Sequence, residues 1–399
     1  MSDEVAYCLQ WYAGAAAQLE IFDPGTAGSG YRLKYVPPMR ATIRPPVENL
    51  PLGGDQLGPV NRALDDLGKT LLTTRDALAG AAAGGVITAQ QLPAAKASFL
   101  ANMEELGGTL LDLIVPHYIQ SDLRSAGLFL EMGMDETLLS YPWELMHDGD
   151  DFLCLKHAMA RFINGSQFIP MNTSRYADWK AEGGPLSVLL ISLSKSIKHG
   201  DFVYERLDAA AEESSAIITT LTDLGVDVTL LADENATLSK VRGELGSGRH
   251  QIIHFCGHAS FNDANPPLSS LVLFDQAMTT GAVVRFISKN RPVLCFVNAC
   301  ETAKALSGRE LFNVYGLARA FLETGAYLIG SRWKVSDAAA AKFASTFYGT
   351  FIGDGKPLGE AVKQARQVCK RDWPDDPAWA SYILYGDPRI CFRKVAQKD

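Results

Sequence analysis

From Pro185 to Cys369, apolar runs of strand length take turns with amphipathic runs of helical period, and few folds accommodate that order. PLSVLLIS reads as a strand and is followed by a helix over residues 206–224, on which Leu207, Ala211, Ser214, Ile217, Ile218 and Leu221 form one stripe closed by Gly225. VDVTLLA is the next strand, and Thr237 opens a short helix carrying Leu238, Val241 and Leu245. Then come the strands QIIHFCGHAS, SSLVLFD and RPVLCFVNACET, a helix over 314–322 stopped by Gly325, and the strand AYLIGSRW. A helix over 336–351 with Phe343, Phe347 and Phe351 four apart, and another over 358–369, complete the pattern; WASYILYGDP is expected to return to a sheet edge. Strands that are apolar throughout rather than alternating, joined through helices, imply an α/β fold: a mostly parallel sheet covered on both faces by helices.

At 399 residues the chain has room for two or three domains, and three regions can be distinguished. Residues 1–58 hold strand-like runs and a dense set of prolines (Pro37, Pro38, Pro45, Pro46, Pro51) that excludes helix; they read as a small β module or an arm packed on the main body. Residues 59–180 open with two helical patterns, 59–72 and 94–115, read as a helical hairpin, and then return to short strands. Within them Pro142 marks a bend at which Glu144 either sits in the first turn of a helix or occupies a pocket. Residues 181–399 carry the alternating pattern.

A net charge of −8 supplies no electrostatic footprint for nucleic acid. No run approaches the roughly 18 apolar residues of a membrane span, and MSDEVAYCLQWYAG has neither the basic nor the apolar region of a secretory signal, so a cytoplasmic protein is expected. The seven cysteines are scattered and form no C-x-x-C pair, as expected of reduced thiols.

Two of the apolar runs end in reactive side chains. QIIHFCGHAS delivers His258 and RPVLCFVNACET delivers Cys300, and the carboxyl ends of strands are where open α/β sheets place their ligands. An imidazole beside a thiol is the minimal equipment for acyl transfer. His254 and Cys256 share the face of His258 but lie inside the strand and read as core residues, as does Cys295. A zinc site built from His254, Cys256, His258 and Cys300 is disfavoured, because residues two apart on one strand seldom close a tetrahedron. The glycines of GELGSGRH neither follow a strand nor open a helix, which removes a phosphate-binding reading.

The blocks YPWELMHDG, HFCGHASF, LVLFD, VNACETA, GLARAFLETGAYLIGSRWKVSDAAAAKFASTFY and WASYILYGDP, in that order, resemble the CHAT family of caspase-like cysteine peptidases, relatives of separase in clan CD. The resemblance runs from about residue 120 to 390. It implies a caspase-hemoglobinase-like fold, with residues 120–180 in a divergent first half. It also implies an endopeptidase without cofactor or metal, with Cys300 as nucleophile and His258 as its acid–base partner. The backbone N–H groups of Ala259 and Cys300 would form the oxyanion hole. SRWKVSD resembles the piece of separase that supplies an acidic residue to a pocket for a basic side chain, which would make Asp337 the acid and Trp333 a pocket wall. On the residues alone, Ser336 or Asp337 is equally a helix cap. Two positions depart from the family: Ala259 stands where glycine is frequent, and Cys256 where a smaller residue is usual. The implied partners are a protein substrate cut after arginine or lysine, in a regulated signalling or defence response, and an activating partner or self-processing step. The competing reading is a caspase-like scaffold that has lost catalysis.

Overall fold

The structure, a computed structural model, describes residues 6–11, 16–22, 32–36, 47–49, 62, 92–124, 127–135, 138–139, 141–163, 184–260, 268–288, 291–301, 321, 324–333, 335–374 and 376–395. The helices expected over 59–72 and 314–322 lie outside these residues, apart from Arg62 and Phe321.

The amino-terminal strands are β1 (Ala6–Trp11), β2 (Ala16–Phe22), β3 (Arg32–Val36) and β4 (Val47–Asn49), followed by helices α1 (Leu92–Ile114) and α2 (His117–Leu123). Strands β5 (Phe129–Met134) and β6 (Ala158–Ile163) come next, then β7 (Gly184–Pro185) and β8 (Ser187–Ser192). A hairpin of β9 (Ile197–His199) and β10 (Phe202–Tyr204) leads into α3 (Asp208–Asp223), β11 (Asp227–Ala232) and α4 (Leu238–Ser247). Beyond them lie β12 (Ile252–Ser260), the hairpin β13 (Ser270–Val272) and β14 (Ala277–Thr279), α5 (Thr280–Ile287), β15 (Leu294–Glu301) and β16 (Tyr327–Ser331). Helices α6 (Asp337–Tyr348) and α7 (Leu358–Asp372) and strands β17 (Tyr382–Tyr385) and β18 (Ile390–Lys394) complete the order.

Among the described residues one 13-stranded sheet forms, with the spatial order β11-β8-β12-β15-β16-β17-β6-β5-β2-β3-β4 and the β13–β14 hairpin appended to β12. Strands β11, β8, β12, β15 and β16 are all parallel. Every residue of β8 and of β16 is buried, as a strand covered on both faces requires. Turn chemistry sets the ends of the helices between them. Gly225 takes φ +76° after α3, Gly248 ends α4 at φ +71°, and the Thr237 hydroxyl accepts from the Lys240 N–H to cap α4.

One expectation changes. WASYILYGDP does not return to an edge: β17 runs antiparallel to β16 and meets β6 in parallel through Tyr385 and Arg161, so it joins the two halves of the sheet. A buried four-residue strand looks the same at any interior position, and only its long-range partners fix its place. In the amino-terminal region β2 lies parallel to β5 in the main sheet, and β1 pairs with β18 and β7 in a sheet of three.

Under the first half, Pro142 leads into a single 3-10 turn, Trp143–Leu145, and Glu144 goes into the interior, so both parts of the earlier alternative hold at once. Arg161 Nε donates to Glu144 Oε1 at 2.8 Å, Arg161 Nη2 binds Oε2, and Arg332 Nη2 stands 3.8 Å from the same oxygen. Burial alone would raise the Glu144 carboxyl, but the guanidinium groups of Arg161 and Arg332 hold it below the usual carboxylate range. Burial, and then the neighbouring charge of Arg161, bring Arg332 down to about 10.

Candidate active site

Strands β12 and β15 are neighbours, in parallel register from Ile252 opposite Leu294 to Ala259 opposite Glu301, and His258 is opposite Cys300. Adjacent strands lie about 4.8 Å apart, and facing positions of a parallel pair share one side of the sheet. The two sequence positions expected to meet are therefore nearest neighbours at the carboxyl ends of central strands. The backbone of Cys300 belongs to β15; its side chain lies outside the described atoms.

His258 is buried, and its imidazole is oriented by the hairpin between β8 and α3. Its Nε2 lies 2.7 Å from the carbonyl oxygen of Glu205, and the ring of Tyr204 stands 5.4 Å from the imidazole at an angle of 37°. A carbonyl oxygen can only accept, so Nε2 carries a proton and Nδ1 is the nitrogen able to take one up. The imidazole is thereby held by the residues that lead out of β10.

Ala259, assigned to the oxyanion hole by resemblance, is buried and flanked on both sides, by Leu271 of β13 and Glu301 of β15. Trp333 is buried just past β16, and its backbone N–H donates to the Ser381 hydroxyl at 3.1 Å. Asp337 is the first residue of α6 and partly exposed. Ser336 occupies the N-cap position but makes no capping bond; its hydroxyl donates to Asp376 at 2.6 Å. The second thiol near the site, Cys256, is buried, and burial followed by the nearby Glu213 carboxylate pushes it well above its ordinary value. Burial likewise raises Cys154, to about 12, and Cys295. These three are protonated, unreactive core thiols.

Sequence reasoning missed three residues beside the pair: Glu205, Asn298 and Glu213. The contact of Glu205 is made by its backbone, which leaves no trace in the sequence. Glu213 did leave a trace. It stands four and eight residues before Ile217 and Leu221, so a carboxylate occupies the apolar stripe of α3, whose buried positions are Ala210, Glu213, Ser214, Ile217 and Leu221. Ala211, assigned to that stripe from its spacing, is exposed.

The sheet is mostly parallel and flanked by helices, and its central strands bring positions 258 and 300 side by side. The profile of the CHAT domain matches residues 104–387, and the chain belongs to that family. Among solved structures, the Saccharomyces cerevisiae separase–securin complex aligns with a TM-score of 0.54 at 12% identity, covering 93% of this chain and 30% of that one. Protein GSU0716 from Geobacter sulfurreducens aligns over 54% of this chain and 95% of its own at 15% identity, with a TM-score of 0.32 that is too low to define the fold. No curated protein sequence matches. Among the described residues no helix is long and apolar enough to cross a membrane.

Proposed function

We propose that this chain is a cysteine endopeptidase of the cytoplasm. The observation that carries the reading is the register of β12 and β15, which makes His258 and Cys300 cross-strand neighbours at the sheet's carboxyl rim. The Glu205 carbonyl adds to it by leaving Nδ1 of His258 as the basic nitrogen. In the proposed reaction the thiol proton passes to His258 and the sulfur bonds the scissile carbonyl carbon. The C–N bond then breaks as the imidazolium protonates the leaving amine, and water hydrolyses the thioester. The N–H groups of Cys300 and Ala259 are assigned to the oxyanion. Since Ala259 is flanked on both sides, the end of that ladder has to loosen for its N–H to reach a substrate.

Asp337 is assigned to a pocket for an arginine or lysine side chain, with Trp333 in its wall. Two features favour this: the cap position is held by Ser336, and Asp337 keeps partial exposure beyond the end of β16. A protein partner that releases or restrains the activity belongs to the same reading, and the yeast neighbour is itself a complex with securin.

One observation favours the scaffold alternative: His258 is only 2% exposed, covered by the hairpin that orients it. Fluorogenic peptides ending in arginine or lysine, assayed beside Cys300→Ala, separate the two. Cleavage by the wild type that Cys300→Ala abolishes supports the peptidase. Equal activity in both removes Cys300 from the mechanism. A Cys300 that reacts with iodoacetamide no faster than a free cysteine peptide at the same pH supports the scaffold.

A further inference from the structure

Glu213 of α3 is buried, and an apolar side chain there would continue the stripe of Ile217 and Leu221. A carboxylate costs desolvation at such a place and needs polar partners. Its partners stand on the two strands of the candidate dyad. Oε1 lies 3.1 Å from Nε2 of His254 on β12, and Oε2 accepts from Asn298 Nδ2 on β15 at 2.7 Å. His254 is four residues before His258, and Asn298 is two before Cys300. One carboxylate thus bridges the strands directly beneath both positions. The other nitrogen of His254, Nδ1, is 2.9 Å from the Tyr348 hydroxyl on α6, and the imidazole stacks on Phe296 at 4.4 Å between centroids. The network therefore also reaches the helix that begins at Asp337.

We propose that Glu213 is the positioning residue of the His258/Cys300 pair: it locks β12 to β15 beneath them, and its negative charge sets the pH range in which they work. The proposal rests on the peptidase reading and deepens it. The titratable or polar groups facing Glu213 are His254 and Cys256 from β12, Asn298 from β15, Tyr348 from α6 beyond His254, and Ser214 on its own helix. Among the described residues, His254 is the one basic side chain within ion-pair distance of it. A negative charge there opposes a thiolate at 300 and favours an imidazolium at 258, so it holds both titrations up. Two residues along a strand span about 7 Å. A unit charge roughly 8 Å away, at an effective dielectric near 20, moves a titration by about 1.5 pH units.

A side-chain oxygen of Glu213, a ring nitrogen of His254 and the Cys256 sulfur also lie within 4.8 Å of one another, a donor set that zinc accepts. The protonated Cys256 and the hydrogen bonds already made by Glu213 and His254 favour the network over a metal.

The test is the pH dependence of Cys300 alkylation by iodoacetamide, read by mass spectrometry on the full chain, which requires no peptide to be cleaved. Glu213→Gln keeps the shape and loses the charge, and the midpoint falls by about 1.5 pH units. Tyr348→Phe removes a hydroxyl from the same network but no charge, and leaves the midpoint in place. Glu213→Leu continues the apolar stripe and loses the bridge, so on any cleaved peptide kcat falls by about a hundredfold at nearly constant KM. A midpoint unchanged in Glu213→Gln overturns the proposal even if the wild type proves an active peptidase. A shifted midpoint in a protein that cleaves nothing upholds it and sinks the peptidase instead. One equivalent of Zn²⁺ retained on dialysis by the wild type and lost in Cys256→Ser overturns it in favour of a metal site.

Discussion

Replacing Glu144 by alanine tests how the two halves of the sheet are held. The wild-type carboxylate accepts two hydrogen bonds from Arg161 and stands 3.8 Å from Arg332. Both guanidinium groups are buried, at 0% and 5% exposure, so water does not replace the lost acceptor. Arg161 keeps its bonds to the carbonyls of Leu139 and Tyr141, at 2.9 and 3.0 Å. Stripping one partner from a buried pair of this kind costs about 3–5 kcal/mol. Removing both charges at matched volume, Glu144→Leu with Arg161→Met, costs less than the alanine change alone, because one of the buried guanidinium charges goes with the carboxylate. Urea unfolding followed by tryptophan fluorescence reads all three chains, with Trp143 adjacent in sequence as a reporter. A loss below about 1 kcal/mol in Glu144→Ala, or a double variant less stable than that single one, refutes the argument. The same pair has a pH signature. The folded carboxyl titrates below its unfolded value, so its contribution is fully present above about pH 4.3 and is lost as the pH falls through the depressed folded value. The stability gap between wild type and Glu144→Ala therefore narrows under acid and is constant from about pH 5 to 8.

Adjacent glycines in α1 are expected to respond with opposite sign. A Cβ on Gly107 would overlap the Leu145 carbonyl oxygen and lie 2.9 Å from His147 Cβ, so Gly107→Ala forces the helix off the 3-10 turn and costs about 3 kcal/mol or more in a urea titration. Gly108 has nothing within 4 Å of such an atom, and Gly108→Ala gains up to about 1 kcal/mol from helix propensity. Asp337→Asn is expected to lower kcat/KM for peptides ending in arginine or lysine by about 10²-fold while leaving Cys300 alkylation unchanged; equal losses on neutral peptides would take Asp337 out of the pocket.

The alternation of strand and helix was legible because burial on both faces of a parallel sheet leaves unbroken apolar runs, and β8, β12, β15 and β16 lie where those runs stand. The 258/300 juxtaposition was legible for the same reason: each residue closes such a run. Strand β17 was misplaced because Tyr382–Tyr385 is buried throughout, and its sequence says nothing about which strands receive it. The contact from Glu205 to His258 is invisible in the sequence because a main-chain oxygen makes it, whereas Glu213 is legible as an acid on an apolar stripe.

The position of β17 has a consequence for synthesis. Strands β16 and β6 are separated in space by residues 382–385, which leave the ribosome after both. Until they emerge, each of those strands presents an unpaired rim that a second copy of the chain can dock onto. A nascent chain stalled before Tyr382 therefore carries two sticky margins, and the growing polypeptide depends on shielding by the ribosome or a chaperone until this one short segment closes the gap.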